Sequence, residues 1–249
     1  MKSAHKIFSI LENLCVEGDA GVTELSLKLD LGKSTIHRLL SILSELGYVR
    51  KNGDNAKYFA TLKVFEIGAM VRGRLRLVNL ARPYMEDLAK KTDETVNLAF
   101  FEAGEVVYID KVESAETLRI DLAVGRRVPA YCTALGKVFL ANLPEKDSEE
   151  YLSHQDLRPL TKNTITSVDE LRKSLVKIKN EGFAIDNSEL DENIKCIAAP
   201  MRDESGNVIA AISIAGPSTR MTESRLNLFK KFLLSEEGGL NLFGISERR

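Results

Sequence analysis

Lys33, Ser34, Thr35, His37 and Arg38 fall within little more than one helical turn, and each can donate a hydrogen bond. Wound into a helix over residues 34–46, the segment puts Ile36, Leu39, Leu40, Leu43 and Leu46 on one face. Ser34, Thr35, His37, Arg38 and Ser41 take the other. Short hydroxyl side chains at a helix start let its backbone approach a duplex, and the helix N-terminus itself favours phosphate. Lys33 is placed for a phosphate contact. His37 and Arg38 reach far enough for base edges, and an arginine can grip guanine through two hydrogen bonds. Further on, Arg50 and Lys51 on one strand and Lys57 on another are spaced to straddle the phosphate backbone or minor groove. An ordinary solvated charged face is the competing reading of any basic run.

The elements that must hold these residues are legible around them. Ile7, Ile10, Leu11 and Leu14 predict a helix over 3–16. Thr23 is the expected N-cap of a short helix reaching Leu29. The turn is expected at 30–33, with Gly32 free to take a positive φ, and Gly47 ends the second helix. Strands at 48–51 and 57–61 flank Asn52-Gly53-Asp54-Asn55, which is strong turn chemistry. Helix, turn, helix and hairpin in that order make a winged helix-turn-helix. A further helix over 62–76 connects onward. Pro83 is expected in the first turn of a new helix.

The second half holds a different cluster. Thr133-Ala134-Leu135-Gly136-Lys137 opens a helix over 133–143, whose first backbone amides form an anion site that small Ala134 and Gly136 leave open. Thr133 either donates to a carboxylate or simply caps that helix. Asp186, at a strand end, accepts from a ligand hydroxyl or amino group, or only closes a turn. Ser213 adds a hydroxyl, and Cys196 a polarisable wall or a plain core side chain. Lys137 is read as structural, and Arg126 and Arg127 as exposed ion partners or as an attraction for an anion. Strands are expected at 95–101, 105–112, 118–124, 183–188, 196–202 and 208–215. Helices are expected at 167–180, behind a Ser167 capping box, and at 222–234. Mixed strands and helices with antiparallel hairpins make this half α+β.

Composition narrows the classes. At 249 residues there is chain for two cores. The net charge of -1 means that any nucleic-acid affinity comes from a local patch. Three dispersed cysteines give no disulfide framework or metal spacing, which fits a reducing cytoplasm. No apolar run approaches the roughly 20 residues of a membrane span, and residues 1–6 do not open a signal peptide. The three histidines offer no base beside a nucleophile, and neither a Walker A nor a dinucleotide glycine motif occurs. Neither catalysis nor a cofactor or metal is therefore expected.

Several segments together resemble the IclR family of bacterial transcriptional regulators. Lys33-Ser34-Thr35-Ile36-His37-Arg38-Leu39-Leu40 looks like its recognition helix. Leu80-Ala81-Arg82-Pro83 and Glu94-Thr95-Val96-Asn97-Leu98 look like the start of its effector domain. Gly125-Arg126-Arg127-Val128-Pro129 with Thr133-Ala134-Leu135-Gly136-Lys137 looks like its most specific signature. Asn163-Thr164-Ile165-Thr166, Gly182-Phe183-Ala184-Ile185-Asp186, Cys196-Ile197-Ala198-Ala199-Pro200 and Ala210-Ala211-Ile212-Ser213-Ile214 continue it in order, so the likeness runs over residues 4–235. The pattern departs from common usage at Asn193, where glycine is frequent, and at Ala215, where glycine or a small hydroxyl residue is frequent.

The resemblance implies a winged helix-turn-helix over 1–61, a linker helix over 62–80 and a GAF-like effector-binding domain over 81–249. It also implies homodimers or homotetramers on palindromic operators. The expected function is ligand-responsive transcriptional regulation in the cytoplasm, with double-stranded DNA and a small carboxylate effector as partners and no membrane. The DNA-binding set is Lys33, Ser34, Thr35, His37, Arg38, Arg50, Lys51 and Lys57. The effector-binding set is Thr133, Ala134, Leu135, Asp186, Cys196 and Ser213. The alternative is a metabolite-binding enzyme with an appended winged-helix module.

Overall fold

A computed structural model describes residues 3–53, 55–118 and 122–235. The chain divides into two compact units, Met1–Leu75 and Arg76–Arg249. In the first unit, α1 (Ser3–Glu17), α2 (Val22–Lys28) and α3 (Lys33–Glu45) precede a two-stranded antiparallel hairpin, β1 (Val49–Lys51) and β2 (Tyr58–Ala60). Leu62–Arg74 forms α4. Ile10, Leu14, Leu25, Ile36, Leu39 and Leu40 bury completely among the three helices, and Tyr58 seals the hairpin onto them. The Ala20 and Tyr58 backbones exchange two hydrogen bonds that tie the hairpin to the turn after α1.

The structure departs from two local expectations. Gly32 has φ −59, and the left-handed residue of the turn is Asp30 at φ 50. Aspartate tolerates that conformation better than most residues. Gly21, not Thr23, is the N-cap of α2, and its amide donates to the Glu24 carboxylate at 2.8 Å. Gly47, at φ 78, ends α3 as expected.

The second unit begins with α5 (Arg76–Thr92) and builds one six-stranded sheet in which every pairing is antiparallel. Its strands are β3 (Thr95–Glu102), β4 (Glu105–Val112), β5 (Arg127–Pro129), β6 (Ala184–Asp186), β7 (Ile194–Arg202) and β8 (Val208–Pro217), in spatial order β5-β4-β3-β8-β7-β6. Side chains alternate between faces along each strand. Ala99, Ala198, Ala211 and Ala215 face α6 (Ala134–Asn142), α7 (Glu145–His154) and α8 (Val168–Glu181) in one core. Val96, Leu98, Ile197 and Ile214 bury on the other face, where α5 and α9 (Glu223–Leu234) pack.

Pro83 does not start a helix but lies inside α5. Leu77, Ala81, Met85 and Leu88 all bury on one face of α5, and that packing outweighs the roughly 3 kcal/mol an interior proline costs. The connector expected over 62–80 is interrupted at Leu75, whose φ −76 and ψ 85 close α4. The strand expected at 118–124 crosses residues 119–121, outside the described residues, and Leu118 and Leu122–Val124 are not in a strand. The remaining expected strands and helices of this unit are present to within a few residues at either end, and β5 and α7 are additional.

Candidate functional sites

The exposed face of α3 carries Lys33, Ser34, His37, Arg38 and Ser41, while Thr35 is half-buried at its flank. Nothing acidic occurs between Leu31 and Ser44, and the one carboxylate of the helix, Glu45, stands at its C-terminal end. The helix has no side-chain N-cap. Its first amides are therefore left for an outside acceptor, and a Cβ at Gly32 would meet nothing within 4 Å. Lys63 of α4 donates to the Leu46 carbonyl at 2.6 Å and so satisfies the opposite end.

Arg50 and Lys51 project from β1 and are exposed, with the Lys51 ammonium 5.9 Å from the centre of the Tyr58 ring. Lys57 is different. Its ammonium lies 3.5 Å from Asp19 and 3.4 Å from Glu24, so it braces the turn between α1 and α2 instead of standing out from the wing. Lys57 is thus removed from the set of free wing cations. Its partners are acidic residues distant in sequence, which no local pattern around Lys57 reveals.

In the second unit, all six expected effector residues line one cavity. Thr133, Ala134 and Leu135 come from the start of α6, Asp186 from the end of β6, Cys196 from β7 and Ser213 from β8. Tyr108, Leu122, Leu190 and Ile194 complete the wall; in sequence each is indistinguishable from ordinary core. The cavity is about 10 Å³ in this conformation, room for one water.

Thr133 caps α6. Its hydroxyl accepts from the Gly136 amide at 3.1 Å and donates to the Pro129 carbonyl at 3.2 Å. The amides of Ala134 and Leu135 meet no acceptor among the described residues. Gly136 is not open to a ligand, because a Cβ there would sit 2.2 Å from the Ala130 carbonyl oxygen. The glycine lets α6 press against the preceding turn.

Asp186 is buried, and its Oδ1 accepts from the Glu189 amide at 2.7 Å. Burial pushes its carboxyl up to about 7; the Glu189 carboxylate adds to the rise, while the Glu189 amide and the Lys137 ammonium oppose it. Cys196 is buried, and burial raises its thiol well above the ordinary value. The Cys132 thiol is raised to about 12, also chiefly by burial. Neither thiol is a nucleophile at neutral pH. Lys137 turns away from solvent into a buried ion pair with Glu189. Arg127 pairs with Glu102, whereas Arg126 is exposed.

The model described as bacterial transcriptional regulator IclR C-terminal matches residues 69–236, and the IclR helix-turn-helix domain matches residues 3–53. The chain belongs to the IclR family. The HTH-type transcriptional regulator KdgR of Escherichia coli is 38% identical over 94% of this chain and 89% of its own length. KdgR of Dickeya chrysanthemi is 39% identical over 90% of this chain and 73% of its own. The crystal structure of the Thermotoga maritima IclR protein superposes with a TM-score of 0.75 at 34% identity, covering 95% of this chain and 98% of that one. This IclR-family chain is accordingly a ligand-responsive, DNA-binding regulator of transcription. Its relatives are regulators and not enzymes, which sets aside the enzyme alternative. Among the described residues no helix is long and apolar enough to cross a membrane.

Proposed function

We propose that this protein is a homodimeric or homotetrameric repressor that binds palindromic operators through α3 and β1 and is controlled by a small carboxylate in the cavity beside α6. The observation that carries the effector reading is the convergence of Thr133, Ala134, Leu135, Asp186, Cys196 and Ser213 on one cavity. Free amides of Ala134 and Leu135 and the Ser213 hydroxyl supply donors for a carboxylate. Asp186 supplies an acceptor for a hydroxyl or amino group on the same molecule. The closed volume means that the walls must part for any multi-atom ligand. Such a ligand biases the conformation it prefers, which is what an effector must do.

On the DNA side, Lys33, Ser34, Thr35, His37, Arg38, Arg50 and Lys51 are the contact set, with Lys33, Arg50 and Lys51 for phosphates and His37 and Arg38 for base edges. A second copy of the chain is implied by α4. None of its residues is buried, and Leu62 (76%), Phe65 (71%), Met70 (65%) and Val71 (59%) are exposed. A helix with no buried face is marginal in water by itself, and a paired copy gives it one. The same pairing presents two α3 helices to two half-sites.

A panel of three- to seven-carbon carboxylates, each matched with its amide, tests the effector assignment by thermal shift of the full chain. At least one acid is expected to raise the Tm while its amide does not. Equal responses to acid and amide, or no response to any acid, would refute a carboxylate site.

A further inference from the structure

Lys137 and Glu189 are nearly sealed from solvent, their side chains exposed by 3% and 6%, and they lie 2.5 Å apart. Burying two charges costs several kcal/mol per ion before their attraction repays any of it, and apolar replacements of such pairs are often neutral or stabilising. The pair is therefore not explained by stability. Its position is more telling. Lys137 sits on the first turn of α6, behind the amides that line the cavity, and its ammonium also donates to the Ile185 carbonyl at 2.7 Å. Glu189 accepts from the Asn187 amide at 3.3 Å, while its own amide holds Asp186 Oδ1 at 2.7 Å. Two threonines fasten the same loop from behind: Thr161 donates to the Ser188 carbonyl and Thr164 to that of Glu189, each at 2.7 Å. The second Glu189 carboxylate oxygen, Oε2, is buried with no partner.

We propose that Lys137 and Glu189 are positioning residues: their ion pair straps the end of β6 to the first turn of α6, and so fixes where Asp186 stands opposite the helix amides across the cavity. The strap joins the two elements that carry the cavity's acceptor and its backbone donors. It also places one cation and one carboxylate next to the Asp186 carboxyl. The other titratable groups facing Asp186 are Tyr108 from β4, Cys132 from the turn before α6 and Cys196 from β7. All three are neutral near pH 7; Arg126 acts on Tyr108, and the charges acting on Asp186 itself are those of Lys137 and Glu189. This inference rests on the effector reading for the meaning of Asp186, but its test needs no effector.

The pH dependence of Tm in the full chain, measured with Asp186 and again with Asp186→Asn, isolates the titration of that carboxyl. Its pKa is raised on folding, so its stability contribution is fully present below the ordinary aspartate range and is lost as pH rises through about 7. Asp186→Asn is expected to have a higher Tm than the parent at pH 8 and no advantage at pH 4. Against that reference, Lys137→Met is expected to move the loss to higher pH and Glu189→Gln to lower pH, because each removes a charge of opposite sign from the strap. Because a single change leaves one buried charge alone, the paired change Lys137→Met with Glu189→Leu is measured too. It is expected to fold with a Tm at pH 5 no lower than the parent's. Unmoved pH profiles in both single variants would overturn the proposal. So would a double variant that fails to fold, since the pair would then be a folding element. The acid and amide panel can fail while these profiles shift, so the two readings fail separately.

Discussion

Gly136→Ala is expected to lower the Tm of the second unit by roughly 10 °C. The sign is the informative part. In a helix interior, alanine is favoured over glycine by about 1 kcal/mol, so propensity alone predicts a gain. The contact geometry predicts the reverse. The new methyl would sit 2.2 Å from the Ala130 oxygen and 2.3 Å from the Ala130 Cα, both backbone atoms. Backbone cannot rotate out of the way as a side chain can. Overpacking of this kind costs about 1–3 kcal/mol and sometimes more, and a rigid neighbour puts this case at or above the upper end. Thermal unfolding of the full chain followed by circular dichroism checks it. An unchanged or raised Tm would show that the turn before α6 yields easily. The helix start and its cavity would then be far less fixed than the Gly136–Ala130 contact implies.

Arg38→Ala is expected to weaken operator binding about 5- to 150-fold, equivalent to 1–3 kcal/mol, and to relax the preference for operator over scrambled duplex. The guanidinium is on the exposed face of α3 and has no ion-pair partner within the chain among the described residues. Its loss therefore breaks no ion pair inside the protein among the described residues, and any loss of affinity reports on DNA. Arg50→Ala serves as the contrast. It is expected to weaken operator and scrambled duplex alike and to reduce the salt slope by about one phosphate. Lys57→Ala is expected to leave that slope unchanged, because its charge is already committed to Asp19 and Glu24. Titrations of each variant on both duplexes at several salt concentrations separate the three outcomes. Equal losses on both duplexes for Arg38→Ala would remove it from base readout.

Much of this was legible because local chemistry and tertiary use coincide. The apolar stripe Ile36, Leu39, Leu40 and Leu43 is what buries α3, so its polar remainder had to face outward. Asp186, Cys196 and Ser213 converge with Thr133 because they lie on three neighbouring antiparallel strands, β6, β7 and β8, beside the start of α6; Asp186 pairs directly with Cys196. The misreadings have physical causes of their own. Pro83 reads as a boundary until the burial of Met85 and Leu88 beyond it is known. Pro144 reads as the stop of α6, yet it also occupies the N-cap of α7, a helix with Leu152 as its one buried residue and hence little periodic signal. β5 is three residues long and ends in Pro129 on the sheet edge, where a missing amide is tolerated. Lys57 reads as a free wing cation but is engaged at the surface by Asp19 and Glu24, whereas Lys137, expected to be structural, is half of a buried ion pair. Residue type cannot reveal such a fate, because the partner lies 33 or more residues away in sequence.

The most direct test of a DNA-gripping first unit governed by a cavity in the second is selection of bound fragments from genomic DNA by the full chain, with the recovered sites retested at fixed salt across the carboxylate panel. The expected result is a palindromic site whose occupancy shifts at least tenfold with one carboxylate, a shift abolished by Asp186→Asn. Recovery of no preferred sequence, or of a site whose occupancy ignores every carboxylate, would contradict it.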